Sequence, residues 1–281
     1  MKEEEREMSF LDHLEELRWH VVRSLFAIIF FTIGAFLSAK WIFQNVIFAV
    51  GRPEFVTFKW LCKLAKLTGF EDSLCVTEIP FKIQSRYMMG QFTMHITSSF
   101  IMGLIFAFPY VAWEIWRFIR PGLHSNEKRY SRGAVFSISF LFFLGVAFGY
   151  YVMSPLAVYF LSSYQISDMI SNEFDITSYV STIATLVLGS GILFQLPVVI
   201  YFLSQIGMVT PKFLRQYRKH AIVIILVVAA IITPPDPLSQ TLIGIPLMLL
   251  YEFSILVSAM VVRKKERLEA EELAREGSAS Q

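Results

Sequence analysis

Long apolar stretches separated by shorter polar segments are the main pattern along this chain. A helix needs about twenty apolar residues to cross the hydrocarbon core of a membrane. Six stretches approach that length and predict transmembrane helices, at residues 21–43, 91–113, 133–154, 179–206, 220–233 and 241–262. The fifth is short for a bilayer crossing, and Pro246 interrupts the sixth, so this pair could form a locally thin wall. The pattern predicts an all-α polytopic membrane protein.

The amino-terminal segment, residues 1–20, has a different pattern and predicts an amphipathic helix. Ser9 and Asp12 have the spacing of a capping box, which favours a helix start. An apolar stripe follows at helical spacing, formed by Phe10, Leu14, Leu17 and Val21. We expect this helix to lie along the membrane interface before the chain turns into the first span.

The distribution of Lys and Arg predicts the orientation of the spans. Basic residues are concentrated in the amino-terminal segment, the second and fourth loops and the carboxy-terminal tail, residues 263–281. The third loop, residues 155–178, contains acidic residues and no base. Because short positively charged loops stay in the cytoplasm, both termini are predicted to be cytoplasmic. The first loop, residues 44–90, is basic as well, but its length reduces the weight of those charges.

Composition supports a membrane protein and excludes several other classes. Hydrophobic residues make up 55% of the chain and charged residues 17%, which is unusual for a soluble domain. A net charge of +2 argues against a nucleic-acid-binding surface. The sequence contains no zinc-protease motif, phosphate loop or dinucleotide fingerprint, so we predict no enzyme activity, metal or cofactor.

Two cysteines, Cys62 and Cys75, lie in the first loop, on the external side in this topology. Thiols are often oxidised in that compartment, so a disulfide is one reading and a pair of packed free thiols is the other. A bridge closing a loop of this size would stabilise the fold by roughly 3 kcal/mol in the chain-entropy model.

Two acidic residues on the predicted cytoplasmic side are candidates for a binding site. Glu16 lies in the amino-terminal helix, and Glu127 lies in the second loop. A plainer interpretation pairs Glu15 and Glu16 with Arg18 and His20 along one helix, and Glu127 with a neighbouring base.

Four sequence stretches favour the binding-site interpretation of these acids over the plainer pairing. They are HLEELR at 13–18, FIRPGL at 118–123 followed by EKR at 127–129, FQLP at 194–197 and TPPDPLSQ at 233–240. Together they resemble the TatC family of the twin-arginine translocase, and the resemblance covers nearly the whole chain. The last stretch is similar to the family's signature between its fifth and sixth spans, with Pro234, Pro235, Asp236, Ser239 and Gln240.

The resemblance implies a concave receptor of six kinked helices in the bacterial cytoplasmic (inner) membrane. Such a receptor binds signal peptides with two consecutive arginines on folded cargo. It also implies self-association and work with single-span TatA-type and TatB-type proteins, driven by the proton-motive force. The family's signal-binding acids match Glu16 and Glu127, and Arg18 and Phe118 match positions bordering that site. Carboxylates suit this task because a guanidinium can donate two parallel hydrogen bonds to each.

Some positions depart from the family pattern. Trp19 and His20 replace a frequent basic pair, which lowers the positive charge beside Glu16. Gln195 stands where many relatives have a Glu, and it cannot titrate, although it can contact a partner helix. Glu252 is then the main intramembrane acid, either functional or hydrogen-bonded to a neighbour such as Tyr251.

A secondary transporter is the chief alternative, because it would also combine kinked helices with intramembrane polar groups. We find no internal repeat to support it. An intramembrane protease built on Ser190 is weaker still, since no base is predicted beside that serine.

Overall fold

The computed structural model describes residues 10–68, 75–76, 79, 81–119, 131–167, 169–170, 172–232 and 237–279. Helices dominate this part of the chain. In order, the elements are α1 (Phe10–Leu37), α2 (Ala39–Ile42), α3 (Val56–Thr68), β1 (Lys82–Gln84), α4 (Gly90–Ile119), α5 (Ser131–Phe148), α6 (Ser154–Ser163), β2 (Glu173–Asp175), α7 (Ile176–Leu193), α8 (Leu196–Gln205), α9 (Pro211–Gln216), α10 (Arg218–Ile232) and α11 (Pro237–Ala279). Short π-helical turns cover Phe43–Ile47 and Gly149–Met153, and a 3₁₀ turn covers Phe48–Gly51.

The predicted class, a polytopic helical membrane protein, is confirmed. Among the described residues, five helical segments are long and apolar enough to span a membrane: Glu15–Leu37, Gly90–Ile119, Gly133–Ser163, Ile176–Gln205 and Gly244–Arg267. The remaining predicted span corresponds to α10, which has 15 residues. A helix of that length falls short of the roughly 20 residues that a crossing needs. The count of six spans therefore stays a prediction.

The amino-terminal helix and the first span, expected to be separated by a turn, form one helix. α1 is continuous from Phe10 to Leu37. The expected turn near residue 20 is absent because the segment from Arg18 to Ser24 has no Gly or Pro to break the helix. Ser9 of the predicted capping box lies outside the described residues.

The third loop begins later than predicted. The third span was predicted to end at residue 154, but α6 continues as far as Ser163. Proline is compatible with the first turn of a helix, where its missing N–H has no intrahelical partner anyway. Here Pro155 occupies that first turn, directly after the π-helical turn.

A short parallel pair of strands joins the first and third loops, and the sequence did not predict it. Lys82, Ile83 and Gln84 pair with Glu173, Phe174 and Asp175 respectively. The Gln84 amide donates to the Glu173 carboxylate at 2.8 Å. Asp175 accepts from the backbone N–H groups of Arg86 and Thr177, each at 2.8 Å, and so also caps the start of α7. The Thr177 hydroxyl and these N–H groups hold the pKa of Asp175 below its usual value.

The described chain forms two compact units. The first comprises residues 1–49, 81–140 and 171–184. In this unit α1 packs against α4 in antiparallel fashion, since His20 contacts Glu114 while Phe36 stacks on His95. The helices approach closely where Gly103 faces Thr32, because an added Cβ would lie 2.7 Å from the Thr32 backbone nitrogen. A small residue at this point allows the two backbones to touch.

The second unit comprises residues 50–80, 141–170 and 185–281. Its apolar core includes Met153, Leu186, Ile225, Leu247 and Ile255, contributed by α7, α10, α11 and the second π-helical turn. Another close approach occurs here, where a Cβ at Gly149 would lie 2.7 Å from the Leu186 carbonyl oxygen. Both units therefore use glycine to bring membrane helices together.

Candidate functional site

Glu114, on α4 of the first unit, is an almost completely buried carboxylate, with 1% of its surface exposed. A charged group inside an apolar span costs free energy unless other polar groups compensate it. His20 Nδ1 contacts the Glu114 Oε2 atom directly. Arg23 Nη1 lies 3.7 Å from the same oxygen, and the Tyr110 hydroxyl also interacts with the carboxylate. Side chains from both α1 and α4 therefore interact with the Glu114 carboxylate.

His20 connects this buried acid to an accessible one. Its second ring nitrogen, Nε2, lies 3.9 Å from Glu16 Oε1. The imidazole is buried, whereas 38% of the Glu16 side chain is exposed. Phe118 packs its ring edge against the imidazole, with centroids 6.0 Å apart. We call Glu16, His20, Arg23 and Glu114 the α1–α4 polar cluster.

Helical spacing explains how these residues meet. Glu16, His20 and Arg23 follow at steps of four and three on α1, which place them on one face. On α4, Tyr110, Glu114 and Phe118 follow at steps of four. Because the two helices are antiparallel and in contact, the two stripes face each other.

Sequence reasoning missed Glu114 as a site residue. The predicted second span ended at residue 113, one residue before this acid, so Glu114 was not considered as an intramembrane residue. The helix in fact continues to Ile119. The available signal was an acid adjoining a long apolar stretch, which is rare in membrane helices without a function or a partner.

Arg18, predicted to border the site, lies apart from the polar cluster. It is exposed and its guanidinium lies 3.6 Å from Glu15, as the plainer pairing along one helix predicted. It also lies over the Trp19 ring, 5.5 Å from the centroid. Of the two bordering residues, Phe118 contacts the cluster.

Several predicted site residues lie outside the described part of the chain. Glu127 is one of them, as are Pro234, Pro235 and Asp236 of the signature stretch. Ser239 and Gln240 lie in the first turn of α11. The Gln240 amide donates to the Leu226 carbonyl of α10 at 3.2 Å, so the end of the signature ties α11 to α10.

The two intramembrane polar candidates lie in the second unit. Gln195 is half-buried at the break between α7 and α8, where its backbone carbonyl accepts from the backbone N–H groups of Val198 and Val199. Glu252 pairs with Arg218 at 2.6 Å, not with Tyr251 as one reading had it. The Tyr251 hydroxyl instead donates to the Leu214 carbonyl at 2.8 Å.

The two cysteines of the first loop are bridged. Cys62 on α3 and Cys75 form a disulfide, which decides between the two readings of the sequence. The described residues contain no group of three or more His, Cys, Asp or Glu side chains arranged to hold a metal ion.

The fold and the polar cluster define a multi-span helical membrane protein with an acidic site at one end of a helix pair. A family model described as Sec-independent protein translocase protein (TatC) matches residues 12–246. The chain therefore belongs to the TatC family, a family of protein translocase components in bacterial membranes.

Curated relatives agree over almost their full lengths. The chain is 40% identical to the TatC protein of Blattabacterium sp. subsp. Periplaneta americana over 266 residues, covering 94% of this chain and 100% of the relative. It is 32% identical to that of Halalkalibacterium halodurans, with 94% of each chain covered. It is 36% identical to that of Helicobacter pylori, with 89% and 87% covered.

Solved structures give the same result for the fold. A crystal structure described as the twin arginine translocase receptor TatC matches with a TM-score of 0.66 and 31% identity. That match covers 89% of this chain and 99% of the other. A second structure of the receptor, in DDM, matches with a TM-score of 0.69 and 31% identity, covering 88% and 99%.

Proposed function

We propose that this chain is the receptor subunit of a twin-arginine translocase and binds the paired arginines of export signals through Glu16 and Glu127. One observation carries the proposal. Glu16 is the exposed carboxylate of the α1–α4 polar cluster, while the other acid, Glu114, is buried. An incoming cation can therefore reach Glu16 without disturbing the buried pair.

The chemistry of Glu16 fits a guanidinium ligand. A carboxylate accepts two parallel hydrogen bonds from one arginine, which a lysine ammonium cannot reproduce. The distance of 3.9 Å to His20 leaves Glu16 without a tight ion pair among its described contacts. Phe118 adds an apolar surface beside the site, suited to the hydrophobic part of a signal peptide.

Glu127 supplies the second carboxylate in this proposal. It lies nine residues after Phe118 in the sequence and matches the family's second signal-binding position. Two acids could each bind one arginine of the pair, which would explain a preference for two consecutive arginines.

The site faces the cytoplasm if both termini do. The concentration of Lys and Arg in the segments near the termini supports this orientation. We place the chain in the bacterial inner membrane, where it would meet folded cargo before export.

Partner binding completes the proposal. We assign Gln195 and Glu252 as polar contacts for single-span TatA-type and TatB-type helices, in a self-associating complex driven by the proton-motive force.

Gln195→Ala should reduce recovery of partner helices with the complex more than it reduces signal binding. Ile192→Ala, which changes an exposed apolar side chain one turn earlier, serves as its control. Equal partner recovery from Gln195→Ala and wild type would count against this role.

A peptide-capture experiment tests the receptor function. Full-length protein in detergent is captured with a twin-arginine signal peptide and with the same peptide carrying two lysines. We expect at least about tenfold better recovery with arginines, since one lost bidentate charge contact is worth about 1.5–3 kcal/mol.

Variants locate the binding site. Glu16→Ala and Glu127→Ala should each reduce capture of the arginine peptide. Glu15→Ala is the matched control, because Glu15 is an adjacent exposed acid that pairs with Arg18. Equal capture of both peptides, or unchanged photo-crosslinking in both site variants, would exclude this assignment.

A further inference from the structure

The first loop contains an amphipathic helix, α3, that presents an exposed apolar stripe. The stripe is formed by residues at steps of four, four and three along the helix: Val56, Trp60, Leu64 and Leu67. These steps place the side chains on one face. Each of them is at least half exposed, and Leu67 reaches 76%. An apolar face of this kind indicates a surface that an apolar medium covers.

A row of lysines lies beside the apolar stripe on the same helix. Lys59, Lys63 and Lys66 follow at steps of four and three, and all three are exposed. The helix contains no acidic residue. With 3.6 residues per turn, the centre of the lysine row lies about 90° around the helix from the centre of the stripe. Phe58 and Ala65, on the remaining side, are buried.

α3 packs by its buried side against the third long apolar segment. The Thr57 hydroxyl donates to the Tyr151 backbone carbonyl. The ring of Phe58 lies 6.0 Å from that of Tyr159, measured between centroids. Both tyrosines belong to the later part of the segment Gly133–Ser163. The position of α3 relative to the membrane therefore follows from the position of these tyrosines.

The length of that segment sets its tyrosine end at a membrane interface. It has 31 residues, so it is about 46 Å long, which exceeds the roughly 30 Å of the hydrocarbon core. Arg132 directly precedes it, so the core begins near Gly133 and the excess length falls at the other end. Tyrosine is also enriched at the level of the lipid headgroups. α3 consequently lies beside the interface.

The lysine row lines an open cavity of about 750 Å³, which we call the lysine cavity. Cys75 and Val76 line the cavity as well, and the disulfide from Cys62 to Cys75 holds them close to α3. Its remaining lining includes the apolar side chains of Pro53 and Phe58. Ammonium groups around a partly apolar cavity suit a phosphate that is attached to an apolar body.

We propose that α3 is an interfacial anchor that binds an anionic phospholipid of the surrounding membrane. The lysines donate to the headgroup phosphate at the lysine cavity, and the apolar stripe enters the interface beside the acyl chains. An anionic lipid supplies both the charge and the apolar medium that this helix needs. A soluble phosphate supplies only the first, and a lipid without net charge supplies the apolar medium with no excess of negative charge.

Amide hydrogen exchange tests the anchor in the full-length protein. Exchange at peptides covering Val56–Thr68 is compared in nanodiscs of phosphatidylcholine and in nanodiscs that also contain phosphatidylglycerol. We expect at least about fivefold slower exchange with phosphatidylglycerol, which is the effect of one lysine near an anionic surface. Inorganic phosphate added to the phosphatidylcholine discs should not reproduce this protection.

A lysine pair tests the headgroup contact. Phosphatidylglycerol is titrated into the full-length protein in detergent, and the lipid that stays bound is measured by native mass spectrometry. Lys59→Gln with Lys63→Gln should weaken binding by at least about tenfold, since each lysine contributes about fivefold. Lys59→Arg with Lys63→Arg keeps both charges and should stay within about twofold of the wild type.

A second lysine pair is the matched control for the loss of charge. Lys40 and Lys82 are exposed lysines outside α3. Lys40→Gln with Lys82→Gln should bind phosphatidylglycerol within about twofold of the wild type, although the net charge changes equally. Capture of a twin-arginine signal peptide reports on folding in every variant, because none of these lysines belongs to the site proposed for that peptide.

The apolar stripe is tested separately from the charges. Leu64→Gln with Leu67→Gln should remove the protection of α3 in both kinds of nanodisc, because these variants lose the apolar contact and keep the lysines. Ile166→Gln is the control. Ile166 is an exposed apolar residue of the third loop, in the same unit, and its replacement should leave α3 as protected as in the wild type.

Four results would overturn the proposal. Phosphatidylcholine and phosphatidylglycerol could protect α3 equally, or the glutamine pair at Lys59 and Lys63 could bind phosphatidylglycerol as the wild type does. Inorganic phosphate alone could give the full protection, which would assign the cavity to a soluble anion. Protection that followed protein concentration and not the headgroup would assign the stripe to a second copy of this chain.

Discussion

A buried polar contact between helices occurs in each unit, and the two contacts differ in charge. In the first unit, His20 of α1 meets Glu114 of α4. In the second unit, Ser204 of α8 hydrogen-bonds Ser258 of α11 at 2.8 Å. All four side chains are buried.

The two contacts require different surroundings. A buried carboxylate without a counter-charge or donor is strongly destabilising. A serine hydroxyl that loses its partner can turn to a carbonyl of its own helix, as Ser254 does with Leu250 at 2.6 Å. The charged contact therefore specifies its neighbours, whereas the serine contact is replaceable.

The largest effect is expected when the charged contact loses one partner. His20→Ala should destabilise the protein by about 3 kcal/mol, because Glu114 stays buried and, among the described residues, keeps Arg23 and Tyr110 to compensate it. Denaturant unfolding of the protein in mild detergent measures this loss.

Removal of both His20 and Glu114 sharpens the test. The double variant His20→Leu with Glu114→Leu leaves no carboxylate to compensate, so it should recover most of that stability, to within about 1–2 kcal/mol of the wild type. A double variant as unstable as His20→Ala would mean that packing, not charge, dominates at this contact.

Substitution of a close-contact glycine should lower the stability of the protein by a similar amount in either unit. Gly103→Ala places a Cβ 2.7–2.8 Å from the Thr32 backbone, and Gly149→Ala places one at similar distances from Leu186 and Val187. Each should cost about 2 kcal/mol in the same unfolding measurement, since packed helices must move apart.

Gly34→Ala is the control for these substitutions, because a Cβ at Gly34 meets nothing within 4 Å. It should be neutral or stabilising by up to about 1 kcal/mol, from the better helix propensity of alanine. Equal losses at Gly34 and Gly103 would refute the close-approach explanation.

A smaller effect is expected at the serine contact. Ser258→Ala should cost less than about 1 kcal/mol, in line with hydrogen bonds between membrane helices. A loss as large as that of His20→Ala would erase the contrast between the two units. Ser204→Ala should give the same small value, because it removes the same hydrogen bond.

The smallest effect concerns the β1–β2 pair and depends on pH. Because the pKa of Asp175 is lowered in the folded protein, its contribution is complete above the ordinary value of about 3.9 and is lost as pH falls through the lower folded value. The protection of the Thr177 amide against hydrogen exchange, measured relative to its intrinsic exchange rate, should therefore fall below about pH 4. In Asp175→Asn the same amide should show no such pH-dependent loss of protection beyond the intrinsic exchange rate.

Much of the fold was predictable because apolar runs reflect the solvent that surrounds them. Each of the five long apolar helical segments overlaps a predicted span, although their ends differ, and the α10 segment was recognised as short. The wrong predictions of helix ends and turns occurred where one local sequence feature is compatible with two structures. Pro155 can end a helix or occupy its first turn, and the amphipathic start of α1 can precede a turn or continue into the span. Local sequence does not distinguish these outcomes.

The site was predictable in part. Glu16 and Phe118 were identified from motifs, and the structure brings both to His20. Glu114 was missed because its significance arises from a contact 94 residues away along the chain. The pairing of Gln84 with Glu173, across 89 residues, was missed for the same reason.

The sequence was sufficient to predict a membrane protein, the approximate positions of its long apolar helices and the family that it resembles. These properties depend on the hydrophobicity of single segments and on short motifs, both of which are local. Only the tertiary structure decided which acid is buried and which is accessible. That outcome depends on the antiparallel contact of α1 with α4, which sets Glu114 against His20 and leaves Glu16 at the surface.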